Sequence, residues 1–192
     1  MKIFLTTAAA IAAVAVATPA AAQRIPAANV AVVDLGRVSA ECTACKTAGA
    51  ALQSQVAALR ARQQTLTTSL QGEGTSLQTA VKALAGKQPD AALTARIRAL
   101  QAKQEAANSE LTQQQQRIQR NQAYIQQQID AKLGPVIEQV MQRRGANLVI
   151  EASASLSAAG GLDVTSDVLT GLNAALPSLI TTAPAATTPP RR

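Results

Sequence analysis

Residues 52–70, LQSQVAALRARQQTLTTSL, open the spacing that decides the fold. Apolar or tolerated residues fall at Leu52, Val56, Leu59, Gln63, Leu66, Leu70, Glu73, Leu77 and Leu84. They resume at Leu93, Ile97, Leu100, Gln104, Ala107, Leu111, Gln114, Ile118, Ile125 and Ile129. Steps of four and three alternate along both runs, which is the seam of a coiled coil. Between the runs, Gly86-Lys87-Gln88-Pro89-Asp90 is a turn signal, so the second helix is predicted to fold back antiparallel on the first. Each leg of about 40 residues spans roughly 60 Å at a rise of about 1.5 Å per residue. A compact core of this mass does not need that length, and the pattern predicts a hairpin arm over 41–144 that reaches or encloses something.

The flanks read differently. Asn29-Val30-Ala31-Val32-Val33-Asp34-Leu35 is a β-branched run closed by Gly36, and helical pattern takes over from about Val38. Gly72 and Gly74 predict a weakened or bent zone in the outgoing leg, and Gly134-Pro135 predicts a kink in the returning one. After Arg144-Gly145, Asn147 to Ala152 reads as a second strand and Leu156 to Ala158 as a third. Thr165 to Asn173 has helix-start chemistry, with Val168, Leu169 and Leu172 on one face and Pro177 as the stop. The fold class is therefore α+β, mainly α: a long hairpin arm on a β-rich body formed by 23–40 and 145–180. That body is short of apolar surface, so oligomerisation is predicted to complete it.

The ends and the composition narrow the function. Met1-Lys2, an apolar run from Ile3 to Val16 and small residues up to Ala22 read as a signal peptide over 1–22, rather than a membrane anchor. From Thr181 to Arg192 the Ala/Thr/Pro composition predicts a disordered tail. With Phe4 in the leader, Tyr124 is the only aromatic residue of the mature chain, which disfavours base stacking and nucleic acid as a partner. Histidine is absent, removing the commonest general base and metal ligand. No paired carboxylates, phosphate-cradling loop or metal-ligand spacing appears. The expectation is no catalytic residue, no metal and no cofactor. From Gln23 onward, 17 Lys/Arg stand against 11 Asp/Glu, an excess of +6 that suits acidic polypeptides or lipid head groups.

The order of these pieces resembles the OmpH/Skp family of periplasmic chaperones for outer-membrane proteins. The resemblance rests on Val30-Ala31-Val32-Val33-Asp34-Leu35-Gly36-Arg37-Val38, the Gln-rich hairpin, Gly145-Ala146-Asn147-Leu148-Val149-Ile150 and Gly161-Leu162-Asp163-Val164-Thr165-Ser166-Asp167-Val168-Leu169. It covers roughly residues 28 to 176, and its order and spacing are more specific than its motifs. It implies a jellyfish-like homotrimer, with a small β-barrel body and three tentacles around a cavity that holds unfolded outer-membrane β-barrel proteins without ATP. The Cys42/Cys45 pair, the low aromatic content and the Thr/Pro tail depart from the family pattern.

Two groups of residues stand out as candidate sites. Lys82, Lys87, Arg96, Arg98 and Lys103 cluster near the predicted tip with only Asp90 among them. They read either as a solvated surface or as a contact for acidic clients, anionic lipid head groups or lipopolysaccharide phosphates. Cys42-Thr43-Ala44-Cys45 reads as a structural bridge within the chain or across subunits, with a catalytic dithiol and a metal or free thiol as rivals. Polar interruptions of the seam are predicted to meet if the hairpin pairs about Lys87, Gln63 near Gln114 and Glu73 near Gln104. They would fix register or keep the arm soft. The leading expectation is a periplasmic holdase; its rivals are a coiled-coil envelope adaptor and a thiol-disulfide protein.

Overall fold

The computed structural model describes residues 27–185; the expected signal peptide and the end of the expected tail, 186–192, lie outside the described residues. In chain order the elements are β1 (Val30–Val33), α1 (Leu35–Glu41), α2 (Thr43–Ala83), α3 (Ala91–Arg144), β2 (Leu148–Glu151) and α4 (Thr165–Ala175). Short 3-10 turns at Ala152–Ala154 and Gly160–Leu162 lie between β2 and α4. The described residues are mainly helical, with one small two-stranded sheet.

β1 and β2 pair in parallel, Val30 opposite Leu148 and Val33 opposite Glu151. A parallel pair needs a crossover, and here α1, α2 and α3 together supply it. Two asparagines pin the strand starts. The Asn29 N–H donates to Asn147 Oδ1 at 2.8 Å, and Asn29 Nδ2 donates to the Gly145 carbonyl at 3.2 Å. Gly145 takes a left-handed conformation, φ 66°, which ends α3 and turns the chain into β2.

Helix ends follow the capping chemistry of the sequence. Asp34 caps α1, its Oδ1 accepting from the Arg37 N–H at 2.8 Å, so helix begins at Leu35, earlier than the apolar pattern predicts. Cys42 is extended, ψ 124°, and divides α1 from α2. The first N–H of α2, on Thr43, donates to Asn173 Oδ1 of α4 at 2.9 Å, a cap delivered from the far end of the chain. At the other end, Gly86 sits at φ 90° in the turn, and Asp90 rather than Pro89 starts α3, accepting from Leu93 N–H at 2.7 Å. Helix continues unbroken through Gly72, Gly74 and Pro135. No neighbouring atom lies within 4 Å of where a Cβ would stand at Gly72 or Gly74, so packing does not demand glycine there.

Among the described residues a buried core sits where β1 and α4 meet the lower ends of the long helices. It gathers Ala31 and Val33 of β1, Val38, Cys42, Ala44 and Ala48. To these it adds Ile125, Ile129, Val136 and Val140 of α3, and Val164, Val168, Leu172 and Leu176. Within the stretch expected as arm, 41–144, the first turns of α2 and about the last 20 residues of α3 contribute to this core. The third strand expected at Leu156 to Ala158 does not form. That segment lacks β-branched residues, and Leu156 is fully exposed. The place beside β1 is taken instead by Asp163 and Val164, whose N–H donates to the Val32 carbonyl at 2.9 Å. Within the segment expected as tail, Thr181 and Ala183 are held against the long helices by bonds described below.

Candidate functional site

Above the core, α2 and α3 run side by side in opposite directions. Four polar links tie them: Gln55 to Asn121, Arg62 to Glu110, Glu73 to Lys103 and Ser76 to Arg96. These centre on residues 86 to 88, close to the predicted centre at Lys87. The seam is half-buried at Val56, Leu59, Leu66, Leu70, Ile97, Leu100, Leu111 and Ile118, and fully buried at Leu77, Leu93 and Ala107. Two helices alone cannot cover both flanks of a heptad stripe, which leaves this seam accessible along much of its length.

The polar residues of the seam do not meet as predicted. Gln63 and Gln104 are exposed, Gln114 donates to Glu110 of its own helix at 2.9 Å, and Glu73 pairs with Lys103 at 2.6 Å. The cross-helix anchor is instead bidentate: Arg62 Nε and Nη2 donate to the two Glu110 oxygens at 2.7 and 2.9 Å. Hydrogen bonding from Arg62 holds the Glu110 carboxyl below the usual carboxylate range. A depressed folded pKa gives a contribution present at neutral pH and lost as pH falls through that depressed value. Wild type and Glu110→Gln should therefore differ in thermal midpoint at pH 7 and converge at acid pH. A constant gap across the titration would show that the charge is not responsible.

The five basic candidates lie around the turn, Lys82 in the last turn of α2, Lys87 in the turn itself, and Arg96, Arg98 and Lys103 in the first turns of α3. All five are exposed. The structure divides them: Lys103 is paired with Glu73, and Arg96 donates to Ser76 Oγ at 3.1 Å. Among the described residues no ion pair engages Lys82, Lys87 or Arg98. Glu73 reaches into this group through Lys103 and lowers the local excess of positive charge by one. Asp90, the acid that was counted, spends one oxygen capping α3.

Cys42 and Cys45 are joined as a disulfide, with Cα atoms 5.1 Å apart. Cys42 is 0% exposed, inside the core, and its Sγ accepts from the Cys45 N–H at 3.2 Å in the first turn of α2. A nucleophilic thiol must be reached by its target; Cys42 is buried and Cys45 partly so. The bridge instead closes the elbow between α1 and α2. Closing so short a loop is worth about 2 kcal/mol in the chain-entropy account. The Cys42→Ala/Cys45→Ala double variant should melt about 4–8 °C lower, at about 2–4 °C per kcal/mol for this size. A thiol reductant should lower the wild type alike and leave the variant unmoved.

One constellation was not anticipated from the sequence. Asn121, only 2% exposed, donates through Nδ2 to Gln55 Oε1 at 2.8 Å and accepts through Oδ1 from the Ala183 N–H at 2.9 Å. Gln55 Nε2 donates to the Thr181 carbonyl at 3.4 Å. Gln128 accepts from the Ile180 N–H at 3.0 Å and donates to the Ile180 carbonyl at 2.9 Å. The signal was present: Asn121 occupies the seam step between Ile118 and Ile125, where a polar residue is costly unless partnered. On the same stretch of the helix pair, Leu52, Val56 and Ile118 line an open hollow of about 400 Å³. On the body, Leu148 and Leu162 are partly exposed and Leu156 fully so.

Among the described residues, no helix is long and apolar enough to cross a membrane, and no three His, Cys, Asp or Glu side chains gather as metal ligands would. A family model described as Outer membrane protein (OmpH-like) matches residues 29–172, three quarters of the chain. Comparison with curated protein sequences finds no significant match. Among solved structures, the chain is similar to an OmpH-like candidate outer membrane chaperone from Caulobacter crescentus. That likeness has a TM-score of 0.68 at 20% identity, over 82% of this chain and 90% of that one. At this identity it establishes the shared fold.

Proposed function

The chain belongs to the OmpH-like outer membrane protein family, and on that footing we propose that it is an ATP-independent holdase of the periplasm, not an enzyme. Its clients are unfolded outer-membrane β-barrel proteins, kept from aggregating between the helical hairpin arms of a homotrimer. The observation that carries this reading is the long antiparallel helix pair standing clear of the core, with an apolar seam left half-covered from Val56 outward. Many weak apolar contacts hold an unfolded chain without trapping it, because each is lost and regained quickly. No cofactor takes part.

Assembly is supported by the body. Its sheet has two strands, and Leu148, Leu156 and Leu162 leave apolar surface around it. Small bodies of this kind gain stability by sharing strands and apolar faces among copies. The net positive charge draws acidic clients, and Lys82, Lys87 and Arg98, with Arg96 and Lys103 beside them, form a contact for client carboxylates. Anionic lipid head groups or lipopolysaccharide phosphates are met by the same chemistry.

The test is dilution of a urea-unfolded outer-membrane β-barrel protein into buffer with and without the mature chain, at two salt concentrations. Suppressed light scattering, with a complex of several subunits per client that weakens as salt rises, is the expected result. Neither suppression nor complex would overturn the holdase reading and leave a coiled-coil envelope adaptor in its place.

A further inference from the structure

Ile180 to Ala183 is held in an unusual way. Every hydrogen bond that the helices make to it goes to its main chain: Ile180 N–H and carbonyl to Gln128, the Thr181 carbonyl to Gln55, and the Ala183 N–H to Asn121. None goes to the hydroxyl of Thr181 or Thr182 among the described bonds. The Gln128 side-chain amide pairs with both main-chain groups of one residue, as a neighbouring strand would. The donors and acceptors come from both long helices, and Asn121 and Gln55 are tied to each other, so the set is preorganised. Asn121 is buried and its Oδ1 is spent on this segment, whereas the Ile180 side chain stays largely exposed. Recognition of this kind reads the main chain and ignores sequence.

We propose that the side-chain amides of Gln55, Asn121 and Gln128 form a binding site for polypeptide main chain, which holds the chain's own Ile180–Ala183 in the free protein and yields to a client chain. The client half of this statement rests on the holdase reading above. A chaperone for diverse unfolded chains needs contacts that every polypeptide offers, and main-chain N–H and C=O groups are common to all. The resident segment keeps these amides satisfied when no client is present, since a buried unpaired amide is costly. Release is inexpensive because none of Ile180 to Ala183 is buried.

The test uses the mature chain and the same urea-unfolded β-barrel protein as probe. Without client, the Ile180 and Ala183 amides should be protected from hydrogen exchange, and Gln128→Leu or Asn121→Ala should remove that protection. Saturating client should speed exchange at both amides about tenfold. A chain ending at Leu179 should bind client about 3- to 10-fold tighter, as expected if the closed segment occupies most of the free population. Adding Asn121→Ala and Gln128→Ala to that shortened chain should abolish the gain. Unprotected amides in the free wild type would overturn the site itself. Client bound with suppressed scattering, but with unchanged protection or no gain on shortening, would overturn the exchange with client and leave the holdase reading standing. Absence of any suppression would overturn both.

Discussion

Leu172→Ala is expected to cost about 2–5 kcal/mol of folding stability. Leu172 is 0% exposed and the largest of the fully buried side chains, on a helix that touches α3, α1 and β1. Truncating it removes apolar burial and leaves a cavity that three surrounding elements cannot all close. Native domains hold only about 5–15 kcal/mol in total, so the change consumes a large fraction. At fixed protein concentration, urea unfolding should show a lower midpoint with an unchanged slope. A loss under 1 kcal/mol would mean that α4 does not seal the core.

Gly171→Leu, one position earlier, should fail for the opposite reason. A Cβ at Gly171 would lie 2.8 Å from Val136 Cγ1, closer than side chains tolerate. Val136 is 4% exposed and β-branched, so within α3 it has essentially one χ1 rotamer and nowhere to swing. Leucine there should cost about 3 kcal/mol or more, at the upper end for overpacked sites. Gly171→Ala should cost less, because the clash is partly offset by about 1 kcal/mol of helix propensity. If contact with Val136 is the cause, Val136→Ala should recover stability in the Gly171→Leu background, read as a positive coupling in a double-mutant cycle. Additive losses would place the strain elsewhere.

The long helices were legible because their signal is periodic and redundant. Some twenty seam positions agree on the pattern, and Gly86 to Asp90 marks the turn, so even the centre of pairing near Lys87 could be read. What a period cannot give is the identity of the surface opposite. Ile125 and Ile129 continue the heptad without a break, yet they belong to the buried core that also takes in Val33, Val168 and Leu172, not to a free seam. Rotation about the helix axis was also beyond reach. Glu73 meets Lys103 instead of Gln104, a displacement of one residue that decides whether the tip carries a free or a neutralised lysine.

The basic cluster was legible as composition, but its division into paired and unpaired members was not. At the C-terminal end the sequence misled for a different reason. Leu179 to Ala183 has no propensity of its own, and its order is imposed by Gln55, Asn121 and Gln128 from 50 to 130 residues away. No strand forms over Leu156 to Ala158, because the sheet edge beside β1 is occupied by Asp163 and Val164. Val168 and Leu172 were placed correctly on the buried face of α4, since an amphipathic helix needs only one side covered.

The cap that Asn173 places on Thr43, and the pairing of Asn29 with Asn147, impose an order of events on the chain as it is made. β1 comes first and has no strand to pair with until residues more than 115 positions later arrive. Contacts of such sequence separation form slowly, because loop closure precedes any gain from them. The helices between need no such wait, since their pairing can start across the turn, where Arg96 meets Ser76 only 20 residues away. A nascent chain would therefore pass through a stage with helices formed and the body open. Completion comes only when α4 docks, in one late step that unites both ends.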